Sequence, residues 1–247
     1  MKIHSHKRHS RWIARLDGPI ESVCADLEQV WKQARRGASE KAIHNLRVSI
    51  RKMDAMLEIL HALNDDSDIQ KLRRRLKKVK RAVGPLRDID VQIRLALGSK
   101  SVGDTRKFIL HMRSKKAKER KVALKVLNVA DRKKFSKEHR RIRKRALADL
   151  RKSDVATARK SVRMLIQAAQ QEFKLAQKDF RSDDAKKLHA LRIAARKLRF
   201  LVEAASSIFP RLSNISQTAL RECQSKMGEL RDRQLLHKTI TEWREDE

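Results

Sequence analysis

The sequence predicts an all-α chain of two similar antiparallel helical bundles joined by basic helices. Three observations carry this. Apolar residues recur at helical spacing along almost the whole chain, breakers are scarce, and the two halves share an ordered set of motifs. Six Gly and three Pro in 247 residues are roughly a third of the usual share. An all-β fold needs a turn every ~8–12 residues and lacks that punctuation here. The net charge is +32. Charge of that size opposes compaction, so the apolar pattern decides whether the chain folds.

That pattern is consistent. Leu46, Ile50, Met53, Leu57 and Leu60 step by four and three residues, and so do Leu72, Leu76, Val79 and Val83. Phe135, His139, Ile142 and Ala146 continue it, followed by Leu188, Leu191, Ala195, Leu198, Val202 and Ala205. Each stripe buries one helix face against a neighbour.

The breakers place the elements in order. Gly18-Pro19 precedes a helix over 20–36, leaving 1–19 as a basic, mobile tail that carries His4, His6 and His9. Gly37 separates this from a helix over 39–61, with Ser39 as its N-cap. Polar residues 64–67 turn the chain into 68–83, and Gly84-Pro85 stops that helix. Asp88 caps the next, which ends near Gly98. Helices follow over 104–127, 133–151, 155–180, 183–208, 213–227 and 232–244. Residues 104–151 hold 19 Lys/Arg against 5 Asp/Glu. With their weaker apolar stripe they read as long, solvated linking helices.

Cys24 and Cys223 lie among apolar neighbours and read as small core residues. No CxxC spacing encodes a zinc site, and neither a metal nor a cofactor is expected. Residues 1–17 lack the apolar core of a secretory signal, and no run of ~18 apolar residues exists to span a membrane. The expected location is cytoplasmic.

The halves repeat. KAIHNLRVSIRKM at 41–53 aligns without a gap on KKLHALRIAARKL at 186–198, and VGPLRDIDV at 83–91 aligns on MGELRDRQL at 227–235. Two motifs in one order and at nearly one spacing imply two similar bundles related by a pseudo-two-fold axis. On a helical wheel, His44, Arg47 and Arg51 form a stripe about 100° from the centre of the apolar face. His189, Arg192, Arg196 and Arg199 form the matching stripe. Charges kept for solubility sit opposite the core, whereas charges at its edge can line a groove with packed stems and wet heads. Arg offers a fork of donors suited to phosphate oxygens, and His adds another donor. Arg87-Asp88 and Arg231-Asp232 read more simply as helix starts with local ion pairs.

These motifs resemble the CHAD family, the conserved histidine α-helical domain. The residues that carry the resemblance are His44-xx-Arg47-xxx-Arg51-Lys52, GPLRDIDV at 84–91, LHALRIAARKLRFLVE at 188–203 and MGELRD at 227–232. It spans about residue 20 to residue 243. The resemblance implies two four-helix bundles with pseudo-two-fold symmetry and a basic groove that binds inorganic polyphosphate, with association to polyphosphate granules. It would place His44, Arg47, Arg51, Lys52, His189, Arg192, Arg196, Lys197 and Arg199 along that groove. It frames 20–247 as one domain, with half-repeats 20–99 and 153–244 flanking linking helices 100–152. Asp54 stands where the second repeat has Arg199, so a weaker grip is expected from the first half.

The alternative partner is nucleic acid, held nonspecifically through its phosphates. Aromatics at 4% and the absence of Tyr argue against base stacking. An enzyme of phosphoryl transfer is not expected: no Walker loop is present, and Glu245-Asp246-Glu247 lacks the Lys of the E-x-E-x-K signature found in the triphosphatase domain that often accompanies CHAD modules.

Overall fold

The computed structural model describes residues 2–98, 105–130, 132–151, 154–181, 184–210 and 212–245, with side chains from residue 16 onward except at 132 and 133. Among these residues there are nine helices and no strand. In order they are α1 (Lys2–Gly37), α2 (Glu40–Leu63), α3 (Ser67–Ala82), α4 (Gly84–Gly98), α5 (Thr105–Val129), α6 (Arg132–Leu150), α7 (Val155–Lys178), α8 (Ala185–Ile208) and α9 (Gln217–Glu245). No described helix is long and apolar enough to cross a membrane.

The helix starts follow local chemistry. Ser39 caps α2 by accepting from the Ala42 N–H at 3.3 Å. Asp66 caps α3 through Asp68 N–H, Asp154 caps α7 through Thr157 N–H, and Asp184 caps α8 through Lys186 and Lys187 N–H. Each cap satisfies orphan donors of a first turn.

Four features differ from the sequence expectation, three of them helix boundaries. Helix α1 begins at Lys2 and runs through Pro19 instead of starting at residue 20. Leu16 and Ile20, one turn apart on either side of Gly18-Pro19, are both fully buried. That packing holds the helix together across its breaker. His4, His6 and His9 lie outside the residues whose side chains are described. Helix α4 begins at Gly84, so Asp88 sits inside it rather than capping it. Pro85 serves at the first turn, where its missing N–H costs nothing. The two segments expected over 213–227 and 232–244 are one helix, α9, which begins only at Gln217, passes through Gly228 and places Asp232 mid-helix.

The fourth difference concerns the basic middle block. It is not a pair of solvated linkers. Helix α5 buries Phe108, Ile109, Met112, Ala123 and Leu127, and α6 buries Phe135, Ile142, Ala146 and Leu150. Its charges are tied to other helices. Arg143 bonds Asp17 and Glu21 on α1, while Arg141 and Arg145 bond Asp68 on α3. Lys116 Nζ sits 2.7 Å from the buried carboxylate of Asp90. The weak stripe around residues 114–121 does correspond to a mostly exposed stretch. His139, second in the α6 pattern, is 1% exposed and stacks on Phe135, itself beside Trp31. Burial, followed by Arg143, pulls its imidazole down to about 4, so it is a neutral core residue at pH 7.

Helices α2 and α8 are central. α2 packs against α1, α3, α7 and α8, and α8 against α1, α2, α7 and α9. One apolar cluster joins α1, α2, α3, α5, α6, α7 and α8. Two smaller clusters seat α9, one against α4 and α5 and one against α7 and α8. Gln92 on α4 also donates to Thr239 on α9 at 3.0 Å. The four helices α2, α8, α4 and α9 thereby meet around one opening.

Candidate functional site

That opening is a groove of about 580 Å³. Helix α2 contributes His44, Arg47, Val48 and Arg51, and α8 contributes His189, Arg192, Ile193, Arg196 and Arg199. Helix α4 adds Arg87, Asp88 and Val91 from one face, and α9 adds Arg221, Gln224, Ser225, Arg231, Asp232 and Leu235. Eight arginines and two histidines thus face two aspartates.

The lining follows from helix geometry. Ile43, Leu46, Ile50 and Met53 of α2 are fully buried. The residues beside that face are therefore pinned at the helix–helix junction. His44, Arg47 and Arg51 rise by about 4.5 and then about 6 Å along α2, as do Arg199, Arg196 and Arg192 along α8. The result is two ladders of cations on facing helices.

Seven of the nine residues expected from sequence line the groove, and two do not. Lys197 Nζ donates to both carboxylate oxygens of Glu172 on α7 at 2.8 Å. Lys52 Nζ lies 3.8 Å from Glu203. One residue past Arg51 and Arg196 in the sequence, each lysine points about 100° away around its helix. Asp54 does not line the groove either. It accepts from Arg73 Nε at 2.8 Å and lies 4.0 Å from Lys77, both on α3. It anchors α3 and takes no position among the ligand-facing groups. Arg199, its counterpart in the repeat, stacks over the Phe200 ring at 4.2 Å.

Sequence reasoning missed the walls formed by α4 and α9. Arg87 and Arg231 follow the duplicated Gly-x-Leu, and their duplication was the available signal. Read as a helix start, the Arg-Asp pair was assigned a local role. Arg87 in fact donates to Glu40 at 2.7 Å, with Arg94 3.4 Å from the same oxygen. Arg221 and Gln224 stand outside either repeated motif and had no signal.

The groove concentrates like charge. Arg51 is pulled down to about 9, first by burial and then by Arg196, Arg47, Arg192 and Arg199. Burial followed by Arg192 and Arg47 brings Arg196 down to about 10. The Nε–H of Arg51, Arg192, Arg196 and Arg199 is buried without an acceptor among the described residues. Arg47 has one weak internal bond, from Nη1 to the Lys80 carbonyl at 3.4 Å. Burial and the neighbouring arginines also hold His44 and His189 below the ordinary imidazole value. Such a site stabilises an anion by relieving its own repulsion and satisfying its donors. An anion there also favours imidazolium, so binding takes up protons and tightens as pH falls.

The two repeated glycines behave differently. A Cβ at Gly84 would come within 2.9 Å of Arg47 Nη1, whereas one at Gly228 would meet nothing within 4 Å. The Gly84→Ala change shifts a flexible side-chain end, so little stability is lost. It should weaken anion binding severalfold by displacing Arg47. Gly228→Ala should leave binding unchanged. Titration of both variants beside thermal unfolding checks this.

Comparison with known proteins agrees with this architecture. No curated protein sequence matches the chain. Among solved structures, the crystal structure of the CHAD domain from the plant Ricinus communis superposes with a TM-score of 0.68 at 17% identity, covering 95% of this chain and 80% of that one. That likeness shows a shared fold. The family profile of the CHAD domain matches residues 20–241, and the chain belongs to the CHAD domain family.

Proposed function

We propose that this protein binds inorganic polyphosphate in the groove between α2, α8, α4 and α9. The observation that carries the reading is the lining itself: eight arginines and two histidines on four helices, against two carboxylates. CHAD domains are associated with polyphosphate binding in general. A linear polyanion matches paired ladders of cations better than a single compact anion, because each rung contacts another unit of the chain. His44, Arg47 and Arg51 grip from one side, and His189, Arg192, Arg196 and Arg199 from the other. Arg87, Arg221 and Arg231 join them. Lys52 and Lys197 add only to the surrounding field. In this reading the two half-repeats are related by a pseudo-two-fold axis that passes through the groove.

We read the protein as a binding module without catalysis, located in the cytoplasm at polyphosphate granules. Nucleic acid is a secondary, nonspecific partner. Among the described residues, histidines are the only aromatic rings lining the groove, and none of these is a Trp, Tyr or Phe platform for stacking bases.

Polyelectrolyte logic sets the expected salt response. Six released counterions give a log–log slope of about −4, or two to three decades of affinity lost between roughly 50 and 200 mM salt. The deciding experiment is competition. Long polyphosphate should displace bound duplex DNA at matched phosphate concentration and fixed salt. Failure to displace it would favour a general polyanion binder.

A further inference from the structure

Asp88 and Asp232 are anomalous in a groove for anions. They occupy matching places in the repeated Arg-Asp motif, and both lie inside helices, where neither can act as a cap. Asp is a poor helix former, so the positions need another account. Both line the groove. Asp232 Oδ1 lies 4.0 Å from Arg192 Nη2, within ion-pair range. Asp88 stands in the field of Arg47, Arg192 and Arg231 as well as that of Asp232. Its side chain is open to the groove, yet protein surrounds it on most sides. That desolvation raises its carboxyl above the ordinary range against the pull of Arg47, with Asp232 adding to the rise.

Resting on the polyphosphate reading above, we propose that Asp88 and Asp232 are built-in counter-anions of the groove, competing with phosphate for Arg47 and Arg192 and thereby setting a threshold that excludes small phosphates. Every anion entering this part of the groove meets the same opposing charge. A chain long enough to reach the remaining arginines overcomes it. A nucleoside triphosphate, with few contacts, does not. The carboxylates also relieve repulsion between the two arginine ladders while the groove is empty.

A positioning role makes the opposite prediction. If the carboxylates only held Arg47 and Arg192 in place, removing their charge would loosen both arginines and weaken binding. The sign of the effect therefore separates the two roles.

The test uses the full chain and the isosteric changes Asp88→Asn and Asp232→Asn, singly and together, with circular dichroism and thermal unfolding to verify folding. Asp232 carries its own single variant, so loss of fold in one variant does not end the test. In titrations with long polyphosphate, the double variant should bind about tenfold tighter or better. Its salt slope should steepen by about 1.4, at about 0.7 per unmasked charge. Binding of ATP at millimolar concentration and 150 mM salt should become measurable where the unmodified chain shows none. Unchanged or weaker polyphosphate binding by folded variants overturns the proposal while leaving the polyphosphate reading intact. Failure of the unmodified chain to bind polyphosphate overturns both.

Discussion

Reversing Arg47, Arg51, Arg192 and Arg196 to Glu should abolish polyphosphate binding and leave the helical content intact. These four residues are half of the arginines that line the groove. Each reversal removes a donor fork and adds a repulsive charge. At about 1.5–3 kcal/mol for each hydrogen bond to a charged group, the loss exceeds a thousandfold. The matched control is four reversals at Lys115, Lys118, Lys121 and Lys125 on α5, which change the net charge equally. None of the four lines the groove. Lys116 is left alone because it pairs with the buried Asp90. The control should weaken binding by less than about tenfold, through the long-range field alone. Titration calorimetry at one salt concentration compares the two sets. Equal losses would mean that diffuse charge, not the groove, holds the polymer.

The second large effect is on stability, with a sign unusual for partly buried side chains. Arg51→Gln together with Arg196→Gln should raise the melting temperature of the ligand-free protein. The largest cause acting on both arginines is burial, and the neighbours that follow on Arg51 are all cations. Neutral amides of similar reach keep part of the stem packing and remove that repulsion. A gain of about 1–2 kcal/mol corresponds to roughly 2–8 °C for a chain of this size. The same change should cost the protein most of its polyphosphate affinity. This is the trade expected where function requires a destabilised site. A lower melting temperature in the double variant would show that the ladders are held by contacts that outweigh their repulsion.

The parts of the fold readable from sequence are those governed by local periodicity. The α2 and α8 stripes set both the helices and their buried faces. His44, Arg47, Arg51 and their counterparts were legible because their distance around the wheel from the apolar face is a property of one helix. Lys52 and Lys197 entered through the family motif. The same wheel arithmetic, carried one residue further, turns them away from the groove and toward Glu203 and Glu172. Pro19 and Gly228 misled because a breaker states a local preference, and tertiary packing overrides it. Leu16 and Ile20 hold α1 together across the first, and Met227 and Leu236 seat α9 on either side of the second. The middle block looked solvated because its buried faces are sparse and its charges numerous. Arg143, Arg141 and Arg145 find carboxylates on α1 and α3 that no single-helix argument could pair with them. Asp88 shows the cost of a correct local rule in the wrong register: an Asp after Gly-Pro caps a helix only if the helix has not already begun.

The central claim is that a phosphate chain lies between the two ladders and touches both. Histidine resonances test it directly. His44 and His189 stand one on each ladder, held below the ordinary imidazole value by burial and the arginines around them. His139 is a control on α6, buried away from the groove. Titrating long polyphosphate into the protein should move the imidazole signals of His44 and His189 together, saturate with the binding curve and raise both pKa values, while His139 stays fixed. Saturated binding with either groove histidine unmoved would contradict the account.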